Sequence, residues 1–161
     1  MAERIVEKKK GDLFLIIVRP AIISASYREP CKGWTDTISA SGSIYLFSML
    51  GLLRELPCDE NTIIDELPVD TCVNFILAAG AYSYFKRTHD LRNKTAVDER
   101  VAIFHNARSS RCPVSIGEAR DLQVGYWKRH PCPKRAKDPK IRLIKNPTVY
   151  HVIYSYNSHN D

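Results

Sequence analysis

Leu13-Phe14-Leu15-Ile16-Ile17-Val18-Arg19-Pro20 is the stretch from which the fold can be read. Six apolar residues follow one another without a polar interruption, and the last three are β-branched. Such a run is the pattern of a strand buried on both faces in a parallel sheet, and it assigns Phe14 and Val18 to the core. Arg19-Pro20 must end the strand, because proline brings no N–H to the ladder. Just upstream, Ala2 to Lys10 (AERIVEKKK) consists of good helix formers and breaks at Gly11, as the last turns of a helix do. A helix that begins at the first residues implies that part of the domain precedes it.

Downstream, Tyr27 to Ser43 carries Pro30, Gly33 and Gly42 among several Ser and Thr, and is expected to be a long loop of the kind that often serves a function. Ile44 to Arg54 is apolar and expected to be helical, and Asn61 to Asp65 a short strand. Pro68-Val69-Asp70 opens a helix, with Asp70 in the first turn where its charge suits the helix dipole. Val69, Val73, Ile76, Leu77, Gly80 and Tyr84 fall at helical spacing and are expected to form its buried face. Lys86 to Glu99 then reads as a polar connector. Val101 to His105 reads as a strand, Ser115 to Lys128 as a helix, and Arg129 to Lys140 as a basic linker broken by prolines. Ile141 to Tyr156 alternates weakly and is ambiguous. Strand and helix alternate, which favours an α/β layered fold with a parallel sheet, although only two or three strands can be counted.

The 161 residues suffice for one core, and composition is that of a globular protein. Net charge is +6, unevenly spread: residues 1 to 85 hold 8 basic and 11 acidic side chains, residues 86 to 161 hold 16 and 7. No apolar run reaches the roughly 18 to 20 residues needed to cross a bilayer. The charged N-terminus lacks the apolar core of a secretory signal, which points to an intracellular protein. The five cysteines form no CxxC pair and read as reduced thiols. His89, His105, His130, His151 and His159 show no ligand spacing, so no metal is expected.

Four segments, in order, resemble the fatty acyl-CoA reductases, a branch of the extended short-chain dehydrogenase/reductase family. Ile17-Val18-Arg19-Pro20-Ala21-Ile22-Ile23 is similar to the family's "VRPSIV". Glu29-Pro30-Cys31-Lys32-Gly33-Trp34-Thr35-Asp36 is similar to "EPxPGWxDN". Asp65-Glu66-Leu67-Pro68-Val69-Asp70-Thr71-Cys72-Val73-Asn74, leading into Ala78-Ala79, is similar to "DxxPVDxVVNxxIAAA" and is the most specific. Pro113-Val114-Ser115-Ile116-Gly117-Glu118 echoes "NPITWGE". Thr37, Ala40, Ser41 and Ile116 depart from the family pattern, which puts the shape of the substrate loop in question.

The resemblance implies an incomplete Rossmann-like α/β domain lacking its N-terminal strands and helices. Residues 1–130 would be the C-terminal part of the NAD(P)-binding reductase domain, and 131–161 a basic linker and the start of the family's C-terminal region. It implies reduction of a long-chain fatty acyl-CoA by NADPH, through an aldehyde, to a primary alcohol. Met1-Ala2-Glu3 resembles the residues that follow the family's catalytic Tyr and Lys. That pair would therefore lie upstream, no catalytic residue is assigned here, and the isolated chain is expected to be inactive and prone to aggregation through its uncovered strand. No GxGxxG is present for the pyrophosphate.

By the same resemblance Arg19, Pro20, Ala21 and Ile22 would lie against the nicotinamide, and Trp34 and Asp36 on the loop that closes over substrate. Each has a plainer alternative. Arg19-Pro20 can merely end a strand, and Trp34 can be a hydrophobic plug. Asp70 and Asn74, one turn apart, can hydrogen-bond a loop near the cofactor, or be a helix cap and a surface amide. The basic run Lys128 to Lys145 can attract CoA phosphates or an anionic membrane, as at the peroxisome or endoplasmic reticulum where the family's enzymes associate. It can also be a solvated linker. A non-catalytic basic binding module is the rival of another class. Nucleic acid is not expected as a partner, although Tyr150, Tyr154 and Tyr156 beside the basic run imitate a stacking platform.

Overall fold

A computed structural model describes residues 2–11, 13–38, 41–93, 101–146 and 148–149. The chain forms two compact units, one from Met1–Trp34 with Glu66–Ala107, the other from Thr35–Asp65 with Arg108–Asp161. The class is α/β, as expected, but the described residues contain eight short strands in four pairs, where the sequence suggested two or three. Isolated short runs such as Glu55–Leu56 carry too few residues to show a periodicity.

In the first unit, α1 (Ala2–Lys9) precedes β1 (Ile16–Pro20), which runs parallel to β6 (Ala102–Asn106) in the register Ile16↔Ala102 through Pro20↔Asn106. At Pro20 the ladder loses a donor and the chain changes partner. Ala21 donates its N–H to the Asn106 carbonyl at 2.9 Å. From Ile22 the next strand, β2 (Ile22–Ser24), runs parallel to β5 (Glu66–Pro68), with Ser24 opposite Pro68. Helix α3 (Val69–Arg92) packs on β1, β2, β5 and β6.

Three expectations for this unit are corrected. The run from Leu13 is not a strand buried on both faces: pairing starts at Ile16, Leu13 is 73% and Phe14 41% exposed, and Val18 is only half-buried. An apolar run fits burial on two faces, but among the described elements β1 is covered by α3.

The face of α3 is also different. Its buried stripe is Cys72, Ala79 and Ser83, with Phe75 and Tyr82 edge-on to the Phe104 ring at 6.3 and 6.4 Å, whereas Val73, Ile76, Leu77 and Tyr84 are exposed. The helix is apolar on two sides, and periodicity cannot choose between them. The small side chains face inward because they let helix and sheet approach closely. Finally, Lys86 to Arg92 is helix, not connector, and residues 94–99 of that expected connector lie outside the described residues. Lysine and arginine are good helix formers, and the C-cap Asn93 N–H bonds to the His89 carbonyl at 3.0 Å.

The second unit holds α2 (Ser41–Met49), β3 (Glu55–Leu56), β4 (Ile63–Ile64), β7 (Val114–Ser115), α4 (Ile116–Arg129) and β8 (Arg142–Leu143). The helix expected over Ile44 to Arg54 thus starts at Ser41 and stops at Met49. Gly51 follows it at φ 69°, where L side chains are strained, and an added Cβ would stand 1.9 Å from the Lys137 carbonyl oxygen. Ser115 caps α4 by accepting the Glu118 N–H, while the Glu118 carboxylate accepts the Ser115 N–H. β3 pairs parallel with β8, and β4 antiparallel with β7.

Arg129 to Lys140 is exposed at most positions, as a solvated linker is, yet it is tied to the unit at two points. Ala136 donates to the Leu50 carbonyl, Pro139 is fully buried, and Ile141 and Ile144 belong to the core. Of the tail, Tyr150, His151, Tyr154, Tyr156 and His159 lie outside the described residues.

Candidate functional site

Parallel strands present their carboxyl ends to ligands in open α/β sheets. In the first unit the carboxyl ends of β1 and β6 meet at Pro20 and Asn106, and β2 continues beside β5. The segments Arg19-Pro20 and Pro68-Val69-Asp70 therefore belong to one neighbourhood, joined through the β2–β5 ladder and by Ser24, whose hydroxyl donates to the Leu67 carbonyl at 3.3 Å.

Pro20 and Ile22 are exposed and Ala21 is half-buried. Arg19 is engaged elsewhere: its Nε donates to Glu3 Oε1 at 2.8 Å and its Nη2 to Oε2, and Nη1 stands 3.5 Å from His105 Nε2. The hydrogen bond from Arg19 lowers the Glu3 pKa. Arg19 thus ties α1 to the end of β1. A residue the sequence did not single out lies beside it. Asn106 is 8% exposed, and its Nδ2 has no hydrogen-bond partner. A buried amide donor without an acceptor is costly, so its place next to Pro20 makes it a candidate to meet a ligand carbonyl or ring nitrogen. This orphaned donor fits one end of a nicotinamide cofactor. The residues that would cradle the pyrophosphate in a glycine-rich turn have no counterpart in the sequence.

Beyond β2 the chain forms a loop closed on itself. Ser26, 5% exposed, receives the Gly33 N–H on its carbonyl at 2.9 Å and the Trp34 N–H on Oγ at 3.1 Å. Its own N–H bonds to the Trp34 carbonyl, and its hydroxyl donates to the Cys31 carbonyl. Within the loop the Glu29–Pro30 peptide is cis and Gly33 has φ 78°. Asp70, in the first turn of α3, accepts N–H groups of the same loop: Tyr27 on Oδ1 at 3.0 Å, Arg28 on Oδ2 at 2.8 Å and Glu29 on Oδ2 at 3.2 Å. Thr71 N–H adds a fourth on Oδ1 at 3.1 Å. Donation by Tyr27, and then by Arg28, Glu29 and Thr71, holds the Asp70 carboxyl at about 2.

Trp34 closes this loop and is 41% exposed, so it is no buried plug. Asp36 is exposed and belongs to the second unit, so the two residues assigned to substrate do not fall within one unit. Of the pair Asp70 and Asn74, Asp70 reaches the loop, while Asn74 is an exposed residue.

Tyr82-Ser83-Tyr84-Phe85-Lys86 has the spacing of a YxxxK pair. It lies on α3 at the wrong end of the strands. The neighbouring Arg87 stacks 5.5 Å from the Phe14 ring, ahead of β1, whereas Asp70 at the other end of the helix holds the loop that follows β2. Tyr82 contacts Phe104, the partner of Val18 within the ladder, rather than the carboxyl ends. Among the described residues no group of three or more His, Cys, Asp or Glu is placed to hold a metal ion, and no helix is long and apolar enough to cross a membrane.

Residues 1–76, which span α1 to the first turns of α3, match the NAD-binding family described as male sterility protein. The match covers just under half of the chain. The similarity to named relatives extends beyond it. Fatty acyl-CoA reductase 1 of Homo sapiens is 29% identical over 151 residues, which cover 94% of this chain and 27% of the relative. A putative fatty acyl-CoA reductase of Drosophila melanogaster is 29% identical over 136 residues, 84% of this chain and 26% of the relative. Fatty acyl-CoA reductase 2 of Homo sapiens is 34% identical over 87 residues, 54% of this chain and 17% of the relative. The chain thus spans about a quarter of the length of the relatives it matches.

Among solved structures, UDP-glucose 4-epimerase of Thermotoga maritima has a TM-score of 0.44 at 15% identity, covering 94% of this chain and 43% of the epimerase. The matched segment includes Arg19 to Ile22, Trp34, Asp36 and Asp70.

Proposed function

We propose that this chain is the part of an alcohol-forming fatty acyl-CoA reductase that lines the nicotinamide and acyl cleft. NADPH would be the electron donor and a long-chain acyl-CoA thioester the substrate. The observation that carries the reading is the β2–β5 ladder, which sets the end of β1, the Asp70 helix start and the Trp34 loop in one unit, all three within the residues 1–76 that match the male sterility family. When bound, the nicotinamide supplies the hydride. The backbone at Pro20, Ala21 and Ile22 would lie along its carboxamide, and the Asn106 amide could donate to it. Trp34 would meet the acyl chain, and Asp36 is the second residue that the family resemblance assigns to substrate. Arg19 takes a supporting place, since its guanidinium is committed to Glu3.

None of the residues assigned to the cleft supplies the proton for the developing oxyanion, so the isolated chain should bind without turnover. Residues 1–130 would form the wall of the reductase domain, and 131–161 the entry into the region that follows. The excess of basic residues after residue 86 suits the phosphates of CoA and an anionic membrane face, consistent with a peroxisomal or endoplasmic reticulum setting.

Equilibrium binding and turnover on the purified chain test the proposal. Expected are saturable binding of NADPH, binding of palmitoyl-CoA, and no conversion of palmitoyl-CoA to hexadecanol. Binding of neither ligand would contradict the assignment, and NADPH-dependent alcohol formation would contradict the absence of a proton donor. The rival basic module would instead retain RNA with a steep salt dependence. Three of the basic side chains it would need are already paired, Arg135 with Asp138, Arg142 with Glu55 and Lys145 with Asp59.

A further inference from the structure

The loop from Tyr27 to Trp34 is held without burial of its side chains. Residues 27–34 are all exposed, Tyr27 by 61% and Trp34 by 41%. What fixes the loop is polar. Ser26 closes its neck, and the carboxylate of Asp70, more than forty residues away in sequence, collects the N–H groups of three consecutive residues. Together with Thr71, each Asp70 oxygen receives two donors, which fills the roughly four acceptor positions a carboxylate offers. Pro68 caps α3 without a side-chain bond, so Asp70 is the one acidic residue of the first turn and serves helix and loop at once.

From this geometry we infer that Asp70 is a positioning residue. It locks the Tyr27–Trp34 loop to the start of α3 and so fixes where Trp34 stands against the acyl chain of the substrate. The inference rests on the proposed function for the identity of the substrate, and on hydrogen bonds alone for the lock. Aspartate is required at this position in two respects. Asparagine would turn an NH2 group toward two N–H donors whichever way its amide is set. Glutamate keeps the charge but is longer by a methylene, and would push the loop away from the helix. The consequence is a role in affinity for the acyl-CoA and in the order of the loop. Nicotinamide binding at Ala21 and Ile22 does not involve these hydrogen bonds.

The chain has two tryptophans, so Trp127→Phe leaves Trp34 as the sole tryptophan, excited selectively at the red edge of the absorption band. In that background Asp70→Asn and Asp70→Glu are compared with the parent by far-UV circular dichroism, iodide quenching, limited trypsin digestion and binding of palmitoyl-CoA and NADPH. Expected in both variants are unchanged helix content, higher quenching of Trp34 and cleavage at Arg28 and Lys32 faster by roughly tenfold or more, since hydrogen bonds to a charged acceptor are worth at least that factor. Palmitoyl-CoA should bind several-fold more weakly, with NADPH affinity unchanged.

Variants with parental digestion and quenching would overturn the lock. A released loop with parental palmitoyl-CoA affinity would overturn the role in substrate positioning. If Asp70→Glu restores the parental loop, the requirement is for charge alone and the positional claim fails. Should Asp70→Asn not fold, Asp70→Glu carries the same comparison with the helix charge retained. A parent chain that binds neither ligand would defeat the functional reading, while digestion and quenching would still decide the lock.

Discussion

Four N–H groups converge on Asp70, and that hydrogen bonding holds its carboxyl at about 2. A depressed carboxyl pKa adds stability that is fully present above the unfolded value of about 4 and is lost as pH falls through the folded value. The difference in urea midpoint between the parent and Asp70→Asn should therefore be constant from neutral pH to about 5, and should close between about 4 and 2. A difference that grows on acidification would refute the assignment. Glu3 and Asp65 shift in the same direction, through the hydrogen bonds of Arg19 and of Ser109 with Arg108, and reinforce the acid-side loss. At Leu67, 2% exposed and following the first residue of β5, truncation to alanine should cost about 2 to 5 kcal/mol, read as a fall in the denaturation midpoint. Tyr82→Phe removes only a hydroxyl distant from the carboxyl strand ends, and should leave NADPH and palmitoyl-CoA affinity unchanged.

At the scale of elements, legibility in the sequence followed how local the determining signal is. The helix from Ser115 was readable because its cap and its first turn lie within four residues, and Ser115→Ala should cost about 1 kcal/mol. Strand β6 was readable from Val101-Ala102-Ile103-Phe104, and the β1 ending from one proline. The buried side of α3 was not, because Val73, Leu77 and Tyr84 compete with Cys72, Ala79 and Ser83, and only the sheet's position decides between them. Nor was the packing of residues 131–140. Their prolines and lysines look solvated, yet Gly51, more than eighty residues earlier, leaves room for the Lys137 backbone. Gly51→Ala should accordingly destabilise the second unit by roughly 1 to 3 kcal/mol or more, from the strained φ and the collision together. An unchanged thermal midpoint would show that this approach is not made in solution.

At the scale of the whole molecule, the motifs that carried the family resemblance also supply most of the candidate site. Arg19 to Ile22 end one ladder and begin the next, Pro68 to Asp70 turn from β5 into α3, and Trp34 closes a loop tied to that turn. Two features came only from the three-dimensional arrangement. The diversion of Arg19 to Glu3 needs α1 beside the end of β1, and the orphaned donor of Asn106 needs a buried register opposite Pro20. Asp36 departs from the expected grouping because the chain leaves the first unit at Thr35.

The central claim is that the end of β1 and the start of α3 line one cleft for nicotinamide and acyl chain. Amide-resolved NMR titration of the isotope-labelled chain tests it most directly, with NADPH added first and palmitoyl-CoA second. The account predicts that NADPH shifts the resonances of Ala21, Ile22 and the Asn106 side-chain amide, and that palmitoyl-CoA then shifts Tyr27 to Trp34 and Thr71. Saturating shifts confined to residues outside these segments, or none with either ligand, would contradict it.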